Sequence, residues 1–554
     1  MSEPATGTSE TKPTAAPSGD QAAILDYAKS VGEYNQQGQR IFRVGNLIYT
    51  KKGLYALFFW LLWFDFCFTI MEAVWDPILS MRLKNELNMD SFWYVFFLST
   101  IPSVVNFVLN PIISIRSDRH RGPRGRRIPF LLYGAPIVCL CLFLMGFGND
   151  IGTWVQTSFL STWSTDQVII WTFIALFMVF TVANMLLGTT FYYLFNDVVP
   201  EEHFVKFMSY FRVAGGLAGM VYSYFIYGYS FKWGPLNLNL GFWEYHNQHF
   251  WYPKLILCGT ATIYMVAATI AILKVKEPAY PPPPKLARGE GFFAKTLSTV
   301  KVLSSECFCH RFYVLYFITQ MVLWLSYQMG RFGTNAMIGM GLDMDKLGKI
   351  NTITGFVGLI LVMCTASWGD RWKPLPMMVF SMILLVVTSP IQLLFLIPNL
   401  SPNTYFLIQI AFSWILVPIT LVNNMAEFPL GMSILPRDRY GQFCSVNAML
   451  RMIPAIFGSM AAGWIMTRLE NHYIHYGQSI ANTTDPEQLK TITKYWQAYA
   501  WRYTYVWNAV FQALATFCYY MLYREWKKLG GKHGFTPPAV DVASDSKPRD
   551  IVAT

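Results

Sequence analysis

The chain has 554 residues, 54% of them hydrophobic and only 14% charged, against about 25% charged in an ordinary soluble protein; its mean hydropathy is +0.33. A soluble globular fold is excluded, and a lipid bilayer is the expected environment. The net charge of +11 would suit a nucleic-acid partner if it were gathered on one surface, but it is spread over alternate connecting segments, so no nucleic acid is expected.

Residues 1–50 are rich in Ser, Thr, Pro, Gly and Gln and lack the basic stretch and apolar core of a signal peptide. They are expected to form a largely disordered tail. A helix that crosses a bilayer needs about 20 mostly apolar residues. Such runs lie near 54–78, 92–115, 130–148, 168–195, 207–231 and 253–274, and again near 312–338, 349–368, 375–397, 404–430, 441–467 and 501–523. Between the two sets, Pro281 to Pro284 form a stiff, helix-breaking run. The expected organisation is a tail (1–50), a six-helix bundle (51–274), a linker (275–311), a second six-helix bundle (312–524) and a C-terminal tail (525–554). This is an all-α membrane protein of 12 transmembrane helices.

Of the 43 Lys and Arg, 30 fall in the tails and the connecting segments on their side, and 7 in the opposite loops. Basic residues are retained on the cytoplasmic side, so both termini are expected to be cytoplasmic, in a multi-pass plasma (inner) membrane protein. Seven of the nine cysteines lie within apolar runs, and no disulfide framework is implied. Cys307, Cys309 and His310 lack a second ligand pair at zinc spacing; no metal or other cofactor is expected. No nucleophile constellation or nucleotide loop is present, so the chain is not expected to be an enzyme.

The two halves repeat. Ser117-Asp118-Arg119 opens the loop after the second run and Gly369-Asp370-Arg371 the loop after the eighth. Residues 200–209 (PEEHFVKFMS) and 436–445 (PRDRYGQFCS) align without a gap at the entries to the fifth and eleventh runs. Charge at the bilayer centre costs about 2.5–3.5 kcal/mol, which singles out Asp65, Glu72 and Asp76 in the first run. At about 100° per residue they share one face. Arg451 lies half-way along the eleventh run, where it would balance Asp65 or bind substrate. Arg212 sits shallower in the fifth run, and Arg331 is near the end of the seventh. Gln320, Trp324, Tyr327 and Gln328 share a face of the seventh. Trp414, Asn423, Asn424 and Glu427 lie in the tenth, and Asn447 stands beside Arg451. Amides and an aromatic face are the lining a sugar needs.

Residues 117–130 (SDRHRGPRGRRIPF) resemble the loop between the second and third helices of the major facilitator superfamily, in which an Asp is followed by Gly and clustered Arg. The resemblance implies a carrier whose substrate site lies between parallel repeats near the bilayer midplane. It also implies an inner gate made by Asp118, Arg119, Arg126 and Arg127 with Asp197 at the end of the fourth helix. Shorter stretches are similar to the glycoside-pentoside-hexuronide cation symporters, the melibiose permease family, and to sucrose carriers. Asn106-Phe-Val-Leu-Asn110-Pro111 stands where the symporters have Asp-x-x-x-Asp-Pro, and Asn184 where they have a third cation-binding Asp. Arg212 begins a similar Gly-rich segment, Asp65 matches a sugar-contacting Asp, and Arg451 stands in place of a Lys.

Together, these readings make the expected substrate site Asp65, Arg212, Trp324, Tyr327, Gln328, Asn447 and Arg451, with coupling through Asp65, Glu72 and Asp76. The amides Asn106, Asn110 and Asn184 at the cation positions make sodium a poorer coupling ion than the proton. The expected function is secondary transport of a small polar solute, foremost a sugar or glycoside. The alternatives are a lysolipid, drug or organic-acid carrier of the same fold, an uncoupled facilitator, or a non-transporting solute sensor.

Overall fold

The computed structural model describes residues 33–34, 40–44, 46–239, 244–280, 307–308, 310–369, 373–436, 440–481 and 485–538. Residues 1–32 of the expected disordered tail lie outside them, as do Cys309, Asp370, Arg371 and most of the linker. Residues 40–50 differ from that expectation: Glu33–Tyr34 (β1), Arg40–Val44 (β2) and Leu47–Thr50 (β3) form a small antiparallel sheet. Phe42 buries its ring against His203 at 4.6 Å, and Asn46 accepts a hydrogen bond from the Ala279 N–H at 2.7 Å. One apolar anchor and one polar contact hold a segment whose composition is polar.

The first half is built from α1 (Lys51–Ser80), α2 (Ser91–Val95) continuing through a π turn into α3 (Ile101–Arg119), α4 (Ile128–Gly146), α5 (Gly148–Ser158), α6 (Thr165–Val198), α7 (Glu201–Val221) and α8 (Tyr252–Lys274), with a hairpin of β4 (Trp233–Asn239) and β5 (Glu244–Trp251) before α8. The second half has α9 (Arg311–Ser326), α10 (Arg331–Gly339), α11 (Met344–Gly369), α12 (Pro374–Leu393), α13 (Pro402–Ile434), α14 (Tyr440–Ile453) continuing through a π turn into α15 (Ser459–Ile480), α16 (Pro486–Ala500) and α17 (Tyr503–Lys528). Helix starts follow local chemistry. Thr50, Asp90, Ser164, Ser401 and Asp485 each accept a backbone N–H of the turn they open, satisfying donors that have no intrahelical partner.

Among the described residues, eight helices are long and apolar enough by themselves to cross a bilayer. The fifth, eighth and twelfth runs are helical too, and the seventh is helical with a break. The seventh is the clearest departure from an uninterrupted span: α9 stops at Ser326, Tyr327–Gly330 form a turn, and α10 begins at Arg331. Helix α15 also runs past the expected end at 467 to Ile480, and α5 and α16 are helices in stretches expected to be loops.

The face that carries the hairpin before α1, the start of α7 and the end of α8 is here the terminal face; the opposite one is the far face. The packing of the two halves differs between them. The apolar core of the first half runs without interruption into Met329, Phe332, Ala336, Ala462, Met466 and Trp501 of the second, all on the far side. A separate core around Phe312, Tyr313, Phe443 and Tyr519 belongs to the second half alone. Gly463 lets α15 approach α2 so closely that a Cβ there would meet the Phe92 Cα at 3.1 Å.

Candidate functional site

A cavity of about 940 Å³ lies between the halves. Helix α1 contributes Phe68 and Glu72 to its wall, α3 Asn106 and Asn110, α6 Thr181, Asn184, Thr189 and Tyr192, and the broken seventh span Trp324, Tyr327, Gln328 and Arg331. The turn that interrupts this span is what aims Tyr327 and Gln328 inward. Irregular backbone is tolerated at membrane depth where it lines a cavity. Gly330 permits the turn, since a Cβ there would meet the Tyr327 carbonyl oxygen at 3.0 Å.

Trp324, Tyr327, Gln328, Glu72 and the three amides Asn106, Asn110 and Asn184 are therefore brought together, whereas Asp65, Arg212, Asn447 and Arg451 do not line this space. Asp65 is 1% exposed, beside Gly215 of α7, and its Oδ2 accepts no hydrogen bond among the described residues. Arg212 is exposed on α7. Asn447 keeps an unpartnered buried Oδ1. Arg451 lies 5.4 Å from the centre of the Trp324 ring and donates to Gln320 Oε1, while Gln320 Nε2 donates to Tyr519 Oη at 3.0 Å. The expected pairing of Arg451 with Asp65 across the cavity is thus not formed. Gln320 and the Trp324 π face occupy the guanidinium within its own bundle.

The other two acids of α1 are partnered. Glu72 accepts from Asn184 Nδ2 and, at 3.3 Å, from Trp75 Nε1. Asp76 forms an ion pair with Arg331, which also donates to Ser99. Arg331, which could have been an interfacial side chain, therefore closes the cavity on the far side. Further out, Lys84 pairs with Glu470 at 2.8 Å, and Glu470 also accepts from Ser91 and Trp501. Asn85 donates to Asn335 at 2.9 Å. Hydrogen bonds that join the halves at Lys84, Asn85, Asp90, Ser91, Phe92, Thr100, Met220 and Arg331 lie at these far-side or mid-depth positions. The structure is closed at the far face.

At the terminal face, Asp197 accepts from both Arg126 and Arg127, and Asp118 accepts from Arg127. Gly125, at φ +105°, turns the loop in a conformation open to glycine. Glu277, beyond α8, accepts the backbone N–H groups of Arg126, Arg127 and Ile128 at 2.6–2.8 Å, satisfying the start of α4. Sequence reading missed Glu277 and the Lys84–Glu470 cluster. A lone acid before a proline was the one signal for the former, and nothing local marks the latter. The partners seen for Asp118, Arg126, Arg127 and Asp197 lie in the first half or at the start of the linker, at Glu277 and Tyr280.

Two helical halves around a polar cavity sealed on one face define a membrane transporter. The chain belongs to the Major Facilitator Superfamily, whose family model matches residues 61–459, and it is a non-enzymatic carrier. A 49-residue stretch is 43% identical to Sucrose transport protein SUT5 of Oryza sativa subsp. indica, covering 9% of each chain; a similar stretch matches SUT4 of the same plant at 39%. The fold is similar to that of a bacterial homologue of the human lysosomal transporter Spinster in its inward-facing, unoccupied conformation (TM-score 0.56, 12% identity, 86% of this chain and 98% of the other). It is also similar to the xylose transporter XylE from E. coli in an inward open conformation (TM-score 0.52, 10% identity, 85% and 96%).

Proposed function

We propose that this carrier moves a sugar or glycoside across the plasma membrane by alternating access, with both termini cytoplasmic. The observation that carries the reading is the lining itself. Neutral amides and hydroxyls (Asn106, Asn110, Asn184, Thr181, Thr189, Gln328) face an aromatic platform, Trp324, with Tyr327 beside it. A sugar needs many bidentate polar partners and an apolar ring face, and the short likeness to sucrose carriers supports the same class. Arg451 acts as a positioning residue, holding Trp324 from behind. On this reading the far face is extracellular and the structure represents the inward-facing state.

The test is a thermal-shift screen of the purified protein against a sugar panel, since a ligand at a hundred times its Kd stabilises by about 2.7 kcal/mol. A shift with one sugar, lost in Arg451→Ala together with transport while membrane insertion is retained, is the expected result. A shift with a lysolipid or organic acid and with none of the sugars would overturn the assignment.

The cluster of Asp118, Arg119, Arg126, Arg127 and Asp197 is proposed as the inner gate, contacting the second half once the far face opens. Asp118→Asn and Asp197→Asn are then expected to change cysteine labelling at both faces with little change in solute affinity. Unaltered labelling would leave the cluster a brace of the first half only.

A further inference from the structure

A second cavity, of about 650 Å³, lies at the terminal face, outside the transport path, between the Arg-rich loop, the end of α8 and the Asn46 turn. Its wall carries three cations, Arg121, Arg124 and Lys276, and one acid, Glu277. The acid is already spent: its two oxygens accept three backbone N–H groups and, at 3.0 Å, the Tyr280 hydroxyl. Arg121 is held over the Tyr280 ring at 5.5 Å and donates to the Asp118 and His120 carbonyls, which fixes its position. Arg124 and Lys276 are exposed and have no ion-pair or hydrogen-bond partner among the described residues. The described lining thus carries a net positive charge, three cations against one acid.

The other wall is apolar. Ile272 and Leu273, in the last turn of α8, line the same cavity, and Leu273 is 68% exposed at the end of a membrane-spanning helix. A site for a soluble anion has no use for an exposed leucine at the bilayer edge, whereas a molecule with an anionic head and an acyl chain fits both walls. Basic pockets between helices on the cytoplasmic side are suited to phospholipid headgroups.

We propose that this cavity binds the headgroup of an anionic phospholipid of the terminal-face leaflet, with phosphate between Arg124 and Lys276 and the chain leaving along Leu273. The inference does not depend on the identity of the transported solute. Because the cavity joins the Arg-rich loop, α8 and the N-terminal hairpin, an occupied site would brace these three elements.

The test compares the full-length protein, in detergent, titrated with phosphatidylserine or phosphatidylcholine, for binding by native mass spectrometry and for thermal midpoint. Phosphatidylserine is expected to bind at least tenfold more tightly than phosphatidylcholine and to raise the midpoint. Arg124→Gln with Lys276→Gln should remove that preference, Arg124→Lys with Lys276→Arg should keep it, and Lys490→Gln with Lys494→Gln, on far-face α16, should leave it unchanged. Equal binding of phosphatidylserine by the wild type and the Arg124→Gln, Lys276→Gln protein would overturn the site. Inorganic phosphate or glycerophosphoserine binding as tightly as the lipid would overturn the lipid and assign a soluble anion in its place.

Discussion

Lys84→Met is expected to unlock the far face. In the closed structure Lys84 Nζ lies 2.8 and 3.1 Å from the two oxygens of Glu470 and donates to the Met89 carbonyl at 2.8 Å, in a fully buried position. Ser91 donates to Glu470 at 2.7 Å, and the Trp501 indole N–H donates to it as well. Lys84 and Ser91 belong to the first half, Glu470 and Trp501 to the second, so the cluster exists only while the halves are together. A buried ion pair contributes little net stability because desolvation offsets the attraction, but removing one partner strands a charge at a cost of about 3–5 kcal/mol. Opening returns Glu470 to water, so the cost falls on the closed state alone and shifts the equilibrium toward opening by roughly 10²- to 10⁴-fold.

The reporter for this shift is Ala462→Cys, at a fully buried inter-half position. Its labelling should rise sharply in Lys84→Met and fall again in the Lys84→Met, Glu470→Leu double variant, where apolar side chains replace both charges. Labelling that stays low in the single variant, or stays high in the double one, would show that the charge pair is not the latch.

Much of the architecture is legible from composition because lipid leaves so few options. Each crossing must be an apolar helix of a given length, and the alternation of basic loops follows from retention on one side. Interruptions are harder to read. The turn at Tyr327–Gly330 sits inside an apolar run, and only the closeness of Gln328 to Gly330 hints at it. Helices α5 and α16 are too polar to register as spans, so they pass for loops. Within the site, helical spacing puts Gln320, Trp324, Tyr327 and Gln328 on one face; the last three line the cavity, Tyr327 and Gln328 by way of the turn, while Gln320 bonds Tyr519 instead. Pairings across the fold carry no such signal. Arg331 finds Asp76 over 255 positions and Lys84 finds Glu470 over 386, and no periodicity specifies a partner that far away.

Coupling is where the departures from the symporter pattern bear most directly on function. Two unit charges about 4 Å apart attract by roughly 4 kcal/mol at an effective dielectric of 20, so each carboxylate exchanged for an amide removes about that much from a sodium site. Asn106, Asn110 and Asn184 all lie on the cavity wall, and the one acid on that wall among the described residues is Glu72, whose oxygens already accept Asn184 and Trp75. Asp65 differs: it is buried behind the cavity wall, with one oxygen unpartnered among the described residues, the condition of a carboxyl that exchanges a proton as water reaches it and withdraws. Proton-coupled transport through Asp65 is therefore the proposed mode. In proteoliposomes an imposed pH gradient is expected to drive solute accumulation, and Asp65→Asn to abolish that accumulation while counterflow persists. If Glu72→Gln alone abolishes it and Asp65→Asn does not, the coupling group is Glu72. Accumulation driven by sodium alone would sink the proton mechanism, and counterflow with accumulation under neither gradient would make the carrier an uncoupled facilitator.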